Sequence, residues 1–258
     1  MIPCPAPLTV AEVIASHAGR DFGSSGLREV TLTVFTRDEP AVSYEIIHCW
    51  RLEEGPICSS LFYLTKPAVL NGTAVKMVER PYIDDIEIWL RLRTARNPIR
   101  VDSSRRDQMV LGTDFTYSDL RFWLPTDAME ITGLELKGHP ESGGCLVTAR
   151  QNSTSTVPRE MRVVLDSTKW LPLTIEWLDS AGAPERIYSA TRLVRVDGVW
   201  TPRVIEVLRP RDQYRSVITL RRAMHGFPVD PDLFLTESLI QLSRSRFEVW
   251  ISRSSEFL

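Results

Sequence analysis

Between Asp85 and Arg93 apolar and polar residues alternate without a slip. Ile86, Ile88, Leu90 and Leu92 fall on one side, and Glu87, Trp89, Arg91 and Arg93 on the other. Successive side chains of a strand point to opposite faces, so a period of two marks a strand with one apolar and one wet face. The pattern recurs along the chain. Val30, Leu32 and Val34 alternate with Thr31 and Thr33. Val42, Tyr44, Ile46, His48 and Trp50 share a face, Ile57 to Thr65 returns after a Gly55-Pro56 turn, and Ala74 to Arg80 follows. Later strands are expected over Ile131 to Lys137, Cys145 to Gln151, Met161 to Asp166 and Leu173 to Leu178. Arg186 to Val196 and Val199 to Leu208 flank Asp197-Gly198, the strongest short hairpin signal in the chain. Tyr214 to Met224 completes the set.

Roughly a dozen antiparallel strands without a linker, repeat or low-complexity tract argue for a mainly β fold in one domain, a curved sheet or barrel. Such a sheet needs its concave face filled. Two plugs are available, an N-terminal helix and the segment over residues 97–128. Thr9-Val10-Ala11-Glu12 reads as a capping box. Val10, Val13, Ile14 and His17 then follow helical spacing, and Gly19 can close the helix. Its single apolar stripe should pack on the sheet, with His17 as a packing residue. The expected division is a capped helix over residues 1–26, a β domain over 27–240 and a C-terminal extension over 241–258. Phe247, Val249, Trp250 and Ile251 would let that extension form a helix or an edge strand, or it stays disordered.

One stretch interrupts the strands: Gly112-Thr113-Asp114-Phe115-Thr116-Tyr117-Ser118-Asp119-Leu120. Gly112 breaks the chain, and Thr113 or Asp114 is expected to cap a short helical turn. Leu111, Phe115 and Leu120 then cover one side, while Asp114, Tyr117 and Asp119 carry the polar groups. Two acids beside a tyrosine admit an acid–base reading. A capped turn whose aromatics plug a barrel accounts for the same residues without chemistry.

Other chemistries find little support. There is no G-x-S-x-G elbow, His17, His48, His139 and His225 are isolated, and no metal-ligand spacing or phosphate loop occurs. No cofactor is expected. Asp84-Asp85 and Arg105-Arg106 read as solvated clusters. A formal charge of −2 gives no case for nucleic acid, and the arginines are scattered among acids. No apolar run of about 18 residues is present, so nothing reads as a membrane-spanning helix. Cys49 and Cys58 flank a turn that, if centred on Glu53-Glu54, would set them opposite each other. A cross-strand disulfide and two buried free thiols are both compatible with that placement. Cys4 and Cys145 have no obvious partners.

The motif also carries a family resemblance. GTDFTYSDL resembles the signature of bacterial outer membrane lipoprotein-sorting protein sequences, relatives of the periplasmic lipoprotein carrier LolA. Phe62-Tyr63-Leu64-Thr65-Lys66-Pro67, Gly72-Thr73-Ala74, Glu87-Ile88-Trp89-Leu90-Arg91-Leu92 and Arg100-Val101 match the run into the motif. Trp177-Leu178-Asp179, Asp197-Gly198-Val199-Trp200-Thr201-Pro202 and Leu233-Phe234-Leu235 match the later strands and the end. The resemblance implies a LolA-like unclosed antiparallel half-barrel with a helical lid over an apolar cavity. It implies a non-catalytic carrier or chaperone for a lipidated protein or other lipid ligand, moving it toward the outer membrane. Partners would then be a membrane transporter or an outer-membrane acceptor. The apolar face Ile86, Ile88, Leu90 and Leu92 is the expected ligand wall. Two other classes remain beside the carrier, an enzyme using Asp114, Tyr117 and Asp119, and a lipid-sensing regulator. The resemblance places the protein in the periplasm, yet Met1-Ile2-Pro3-Cys4-Pro5 reads as neither signal peptide nor lipobox. Either a signal has been removed or this member stays inside the cell.

Overall fold

The Asp197-Gly198 turn forms as its residues require: Asp197 and Gly198 take φ of 48° and 87°, and Val196 pairs with Val199 across it. It joins two strands of a single antiparallel sheet in a computed structural model that describes residues 9–37, 40–54, 57–80, 86–122, 129–137, 144–151 and 159–257. Cys4, the Gly55-Pro56 turn, Asp84, Asp85, His139 and the end of the 97–128 plug lie outside the described residues.

The first strands are β1 (Ser25–Phe35), β2 (Val42–Glu53), β3 (Ile57–Lys66), β4 (Ala74–Glu79), β5 (Glu87–Arg91) and β6 (Ile99–Val101). After the motif come β7 (Met129–Lys137), β8 (Gly144–Gln151), β9 (Arg159–Asp166), β10 (Pro172–Leu178), β11 (Pro184–Val196), β12 (Val199–Arg209) and β13 (Tyr214–His225). A short β14 (Ser255–Glu256) pairs with β13. The spatial order runs β6-β5-β4-β3-β2-β1-β13-β12-β11-β10-β9-β8-β7, so β1 pairs with β13 and the sheet does not close. β5 is shorter than its alternation suggests, because Leu92 enters a turn in which its carbonyl accepts from the Ala95 N–H.

Register carries the alternation from strand to strand. Leu32 lies opposite Tyr44 and Ile218, Ile46 opposite Leu64, and Ile218 opposite Ile205. These residues make one inner face. Helix α1 (Val10–Ala18) packs on its far end, where Val13 joins Val147, Met161, Val163 and Ile175. The helix starts as expected: Thr9 Oγ1 accepts from the Glu12 N–H at 3.3 Å, and Glu12 Oε2 accepts from the Thr9 N–H at 2.7 Å. His17 is buried within 2.9 Å of the Trp170 carbonyl through Nδ1.

The outer face is covered by the chain's last segment. Leu27, Ile47, Cys49, Leu61 and Tyr63 pack against Phe227, Leu233, Phe234, Leu239 and Phe247. Residues 241–257 fold back here through the short helix α2 (Glu248–Ile251) and β14. Phe247 is fully buried, a contribution of about 1.5–3 kcal/mol.

The β2–β3 register corrects the turn centre on which the disulfide alternative rested, and the other alternative, two buried free thiols, is the one the structure has. Glu53 pairs with Ile57, which sets Cys49 opposite Leu61 and Cys58 opposite Leu52. The turn is centred further along than Glu53-Glu54, so Cys58 sits three positions along β2 from Cys49. An odd shift also reverses the face: Cys49 points into the outer core, and Cys58 joins Phe22 and Trp50 on the inner one. Both are free thiols, as is the buried Cys145.

Candidate ligand cavity and its cover

Residues 106–122 cross the inner face as a strapped loop. Leu111 and Gly112 take positive φ, turning the chain so that Met109 and Thr116 form a bridge and the Val110 N–H donates to the Phe115 carbonyl at 2.8 Å. Thr113 Oγ1 donates to the Val110 carbonyl at 2.8 Å, inside this loop. The helical turn begins two to three residues later than the sequence suggests. It is a 3-10 turn over Tyr117–Leu120, and Thr116 caps it, not Thr113 or Asp114. Thr116 and Asp119 make a capping box, with Asp119 Oδ2 accepting from the Thr116 N–H at 2.6 Å and from its hydroxyl at 2.9 Å.

Asp114 is occupied elsewhere. Arg209 Nε donates to Oδ1 at 2.7 Å and Ser216 Oγ to Oδ2 at 2.8 Å, while Arg186 donates to its carbonyl oxygen at 3.1 Å. Arg186 also donates to Asp119 and lies 4.3 Å from the Trp177 ring. Further along, the buried Arg121 and Glu79 approach to 3.5 Å, and the Phe122 N–H donates to Glu79 Oε1 at 2.9 Å. The loop is thus tied to β12 and β13 by Asp114, to β11 by Asp119, and to β4 by Arg121 and Phe122.

The polar residues of the motif do not converge on one point. Both carboxylate oxygens of Asp114 are engaged, and Asp119 is held in its own capping box. Tyr117 packs against Ile86, Ile88, Val75 and Met77, and its hydroxyl makes no hydrogen bond to a described residue. Tyr117 therefore packs under the loop and is not part of the cavity lining. Arg105 is exposed as expected, but Arg106 is buried, with the Ser118 N–H donating to its carbonyl at 3.1 Å.

Between the loop, the residues after α1 and the inner face lies a cavity of about 170 Å³. That is room for on the order of ten waters. Its walls are mainly apolar: Val30, Leu32, Ile46, Phe62, Leu64, Ile205, Ile218, and from the loop Leu111, Phe115 and Leu120. Ile86, Ile88, Leu90 and Leu92 are not among them. Ile86 and Ile88 are on the inner face but buried under Val110 and Tyr117, with Leu90 packed beside them. The same loop that roofs the cavity fills this part of the face.

Polar groups gather at one end of the cavity. Arg28, Arg20, His48, Arg121 and Tyr188 line it with Phe22 and Phe122. The Arg28 guanidinium lies 4.5 Å from the Trp50 ring centre, and His48 stacks on Phe62 at 4.1 Å. Burial holds the His48 imidazole well below its ordinary range, and the Arg28 charge adds to this. Arg28 is itself pushed down to about 10 by burial, which leaves it charged at neutral pH. In the sequence the only sign of this cluster is Arg28 and His48 standing where the alternation calls for apolar residues.

Among the described residues no cluster of three or more His, Cys, Asp or Glu side chains could hold a metal ion. Among the described residues no helix is long and apolar enough to cross a membrane.

A family model described as "Uncharacterized protein" matches residues 58–241. The chain belongs to that family. A comparison with curated proteins finds no match. Among solved structures, an outer membrane lipoprotein-sorting protein domain from Vibrio parahaemolyticus superposes with a TM-score of 0.79 at 16% identity, covering 89% of this chain and 97% of that one. A DUF1329 family protein from Desulfovibrio piger gives 0.76 at 16%, covering 88% and 96%. A LolA superfamily protein from Nitrosomonas europaea gives 0.66 at 14%, covering 90% and 100%. The chain therefore has the LolA-like fold, as its sequence resemblance implies.

Proposed function

We propose that this protein is a carrier that holds a lipid-like apolar ligand in the inner-face cavity, in the periplasm, and delivers it toward the outer membrane. The observation that carries this reading is the cavity itself: an apolar chamber roofed by a loop strapped to the sheet at several points. Burying an alkyl chain there contributes about 0.8 kcal/mol per CH₂, enough for affinity without chemistry. The full occupation of Asp114 by Arg209 and Ser216 weighs against acid–base turnover, since neither oxygen is free to take a proton from a substrate. The LolA-like fold supports the same assignment, and a lipoprotein or free lipid, with a transporter or outer-membrane acceptor, would be its partners.

Mass spectrometry of organic extracts from the purified full chain tests the proposal. A recovered lipid or acyl-bearing species, with saturable binding of an uncharged apolar fluorophore such as N-phenylnaphthylamine, is the expected result. An empty extract together with no fluorophore binding would overturn it.

A further inference from the structure

Arg28 and His48 stand directly opposite each other on β1 and β2, both facing the cavity. Arg28 makes no hydrogen bond or ion pair with any described residue, and its Nε is buried without a partner. Among the described residues its planar group lies over the rings of Trp50 at 4.5 Å and Phe122 at 5.9 Å. His48 is 7% exposed, and its Nε2 is likewise buried without a partner. Arg20 reaches the same end of the cavity. It donates to the carbonyl oxygens of His17 and Phe122 with its Nε unpartnered, and among the described residues no carboxylate is in ion-pair contact with it, Glu79 acting only from further away.

The acids nearby are already committed, Asp119 to Arg186 and Thr116, and Glu79 to Arg121 and the Phe122 N–H. Among the described residues Arg28 thus borders an apolar chamber with no carboxylate partner, while Arg20 shares the nearby Glu79 with Arg121. Leaving such a charge unpaired in a low-dielectric site is costly, and a bound anion removes that cost. A guanidinium fork matches a carboxylate or phosphate, where a neutral head would leave its donors idle.

Resting on the carrier reading, we infer that the ligand is an aliphatic amphiphile with an anionic head, carboxylate or phosphate. The head sits on Arg28 with Arg20 and His48, and the chain lies along Val30, Leu32, Ile46, Ile205 and Ile218.

The test is competition against N-phenylnaphthylamine on the delipidated full chain, with three ligands that share a tail: hexadecanoate, hexadecyl phosphate and hexadecanol. The anions should displace the fluorophore at concentrations about tenfold or more below the alcohol, the worth of one charge-assisted hydrogen bond. Whichever anion is tighter identifies the source as fatty acid or phosphate-headed lipid. Arg28→Met should bring the anions to the level of the alcohol, each competition being referred to the fluorophore's own affinity for that variant, and Arg28→Lys should keep part of the preference. Should Arg28→Met fail to fold, the wild-type comparison and Arg28→Lys decide. If hexadecanol competes as well as the anions in the wild type, the anionic head is wrong and the carrier reading stands. If the fluorophore does not bind and the organic extract of the purified chain is empty, both fall.

Discussion

Asp114 and Ser216 exchange two hydrogen bonds across the inner face: the Asp114 N–H donates to Ser216 Oγ at 2.9 Å, and Ser216 Oγ donates to Asp114 Oδ2 at 2.8 Å. Both residues are almost wholly buried, and Arg209 neutralises the remaining oxygen. The reciprocal pair sits where the loop turns back toward its 3-10 turn. It therefore fixes the height of the cavity roof above β13.

Removing either partner strands the other. Ser216→Ala should cost about 1–3 kcal/mol, because a buried N–H and a carboxylate oxygen lose their partner. Asp114→Ala should cost about 3 kcal/mol, the low end for breaking a buried ion pair, since Arg209 keeps Asp212 at 3.0 Å. Both should speed release of bound fluorophore. Urea denaturation and stopped-flow release measure the two effects. A loss under about 1 kcal/mol for Asp114→Ala would show that this anchor does not hold the roof.

Tyr117 and Ile88 touch in the same buried cluster but should respond differently. Tyr117→Phe removes a hydroxyl with no hydrogen-bond partner among the described residues, so stability should stay within about 0.5 kcal/mol. Ile88→Ala opens a cavity under the loop and should cost about 2–5 kcal/mol. Neither residue lines the ligand chamber, so fluorophore affinity of the folded molecules should hold in both. A tenfold loss of affinity in Tyr117→Phe would mean the hydroxyl touches ligand.

Three buried histidines make stability depend on pH. Burial is the main cause in each, holding His17 at about 3, His225 at about 4 and His48 well below its ordinary value of 6.5. They stay neutral in the folded protein, whereas the unfolded chain takes up protons once pH falls through 6.5. Stability is therefore full above pH 6.5 and declines as pH falls toward the folded values. By about pH 5 the loss should reach about 2 kcal/mol for each of His17 and His225. Chemical denaturation across this range measures it, with His17→Gln giving a shallower decline. A flat profile would contradict the burial of these rings.

The cysteines offer a direct check on register. Burial raises the thiols of Cys49, Cys58 and Cys145, so all three should resist alkylation in the native protein and react on unfolding. Peptide mapping without reductant should find no link between Cys49 and Cys58. Finding one would mean that β2 and β3 pair in a different register.

Local pattern determined most of the strands. Val30 to Val34, Ile86 to Leu90 and the Asp197-Gly198 turn could be read directly, because side-chain alternation and positive φ are properties of neighbours in the chain. The same holds for the Thr9 capping box, which spans a single helical turn. Alternation also named which residues share a face, but not what covers that face. Only the tertiary structure decided that Ile88 lies under the loop while Ile218 lines the cavity. The cap moved from Thr113 or Asp114 to Thr116 for a similar reason. Asp114 finds Arg209 and Ser216, 95 and 102 residues away, and those partners exist only once β13 pairs with β1 and β12 with β13. Arg28 is the clearest case. As a letter it is one arginine among many, and its want of a carboxylate partner among the described residues belongs to the low-dielectric space that β1, β2 and the loop enclose together.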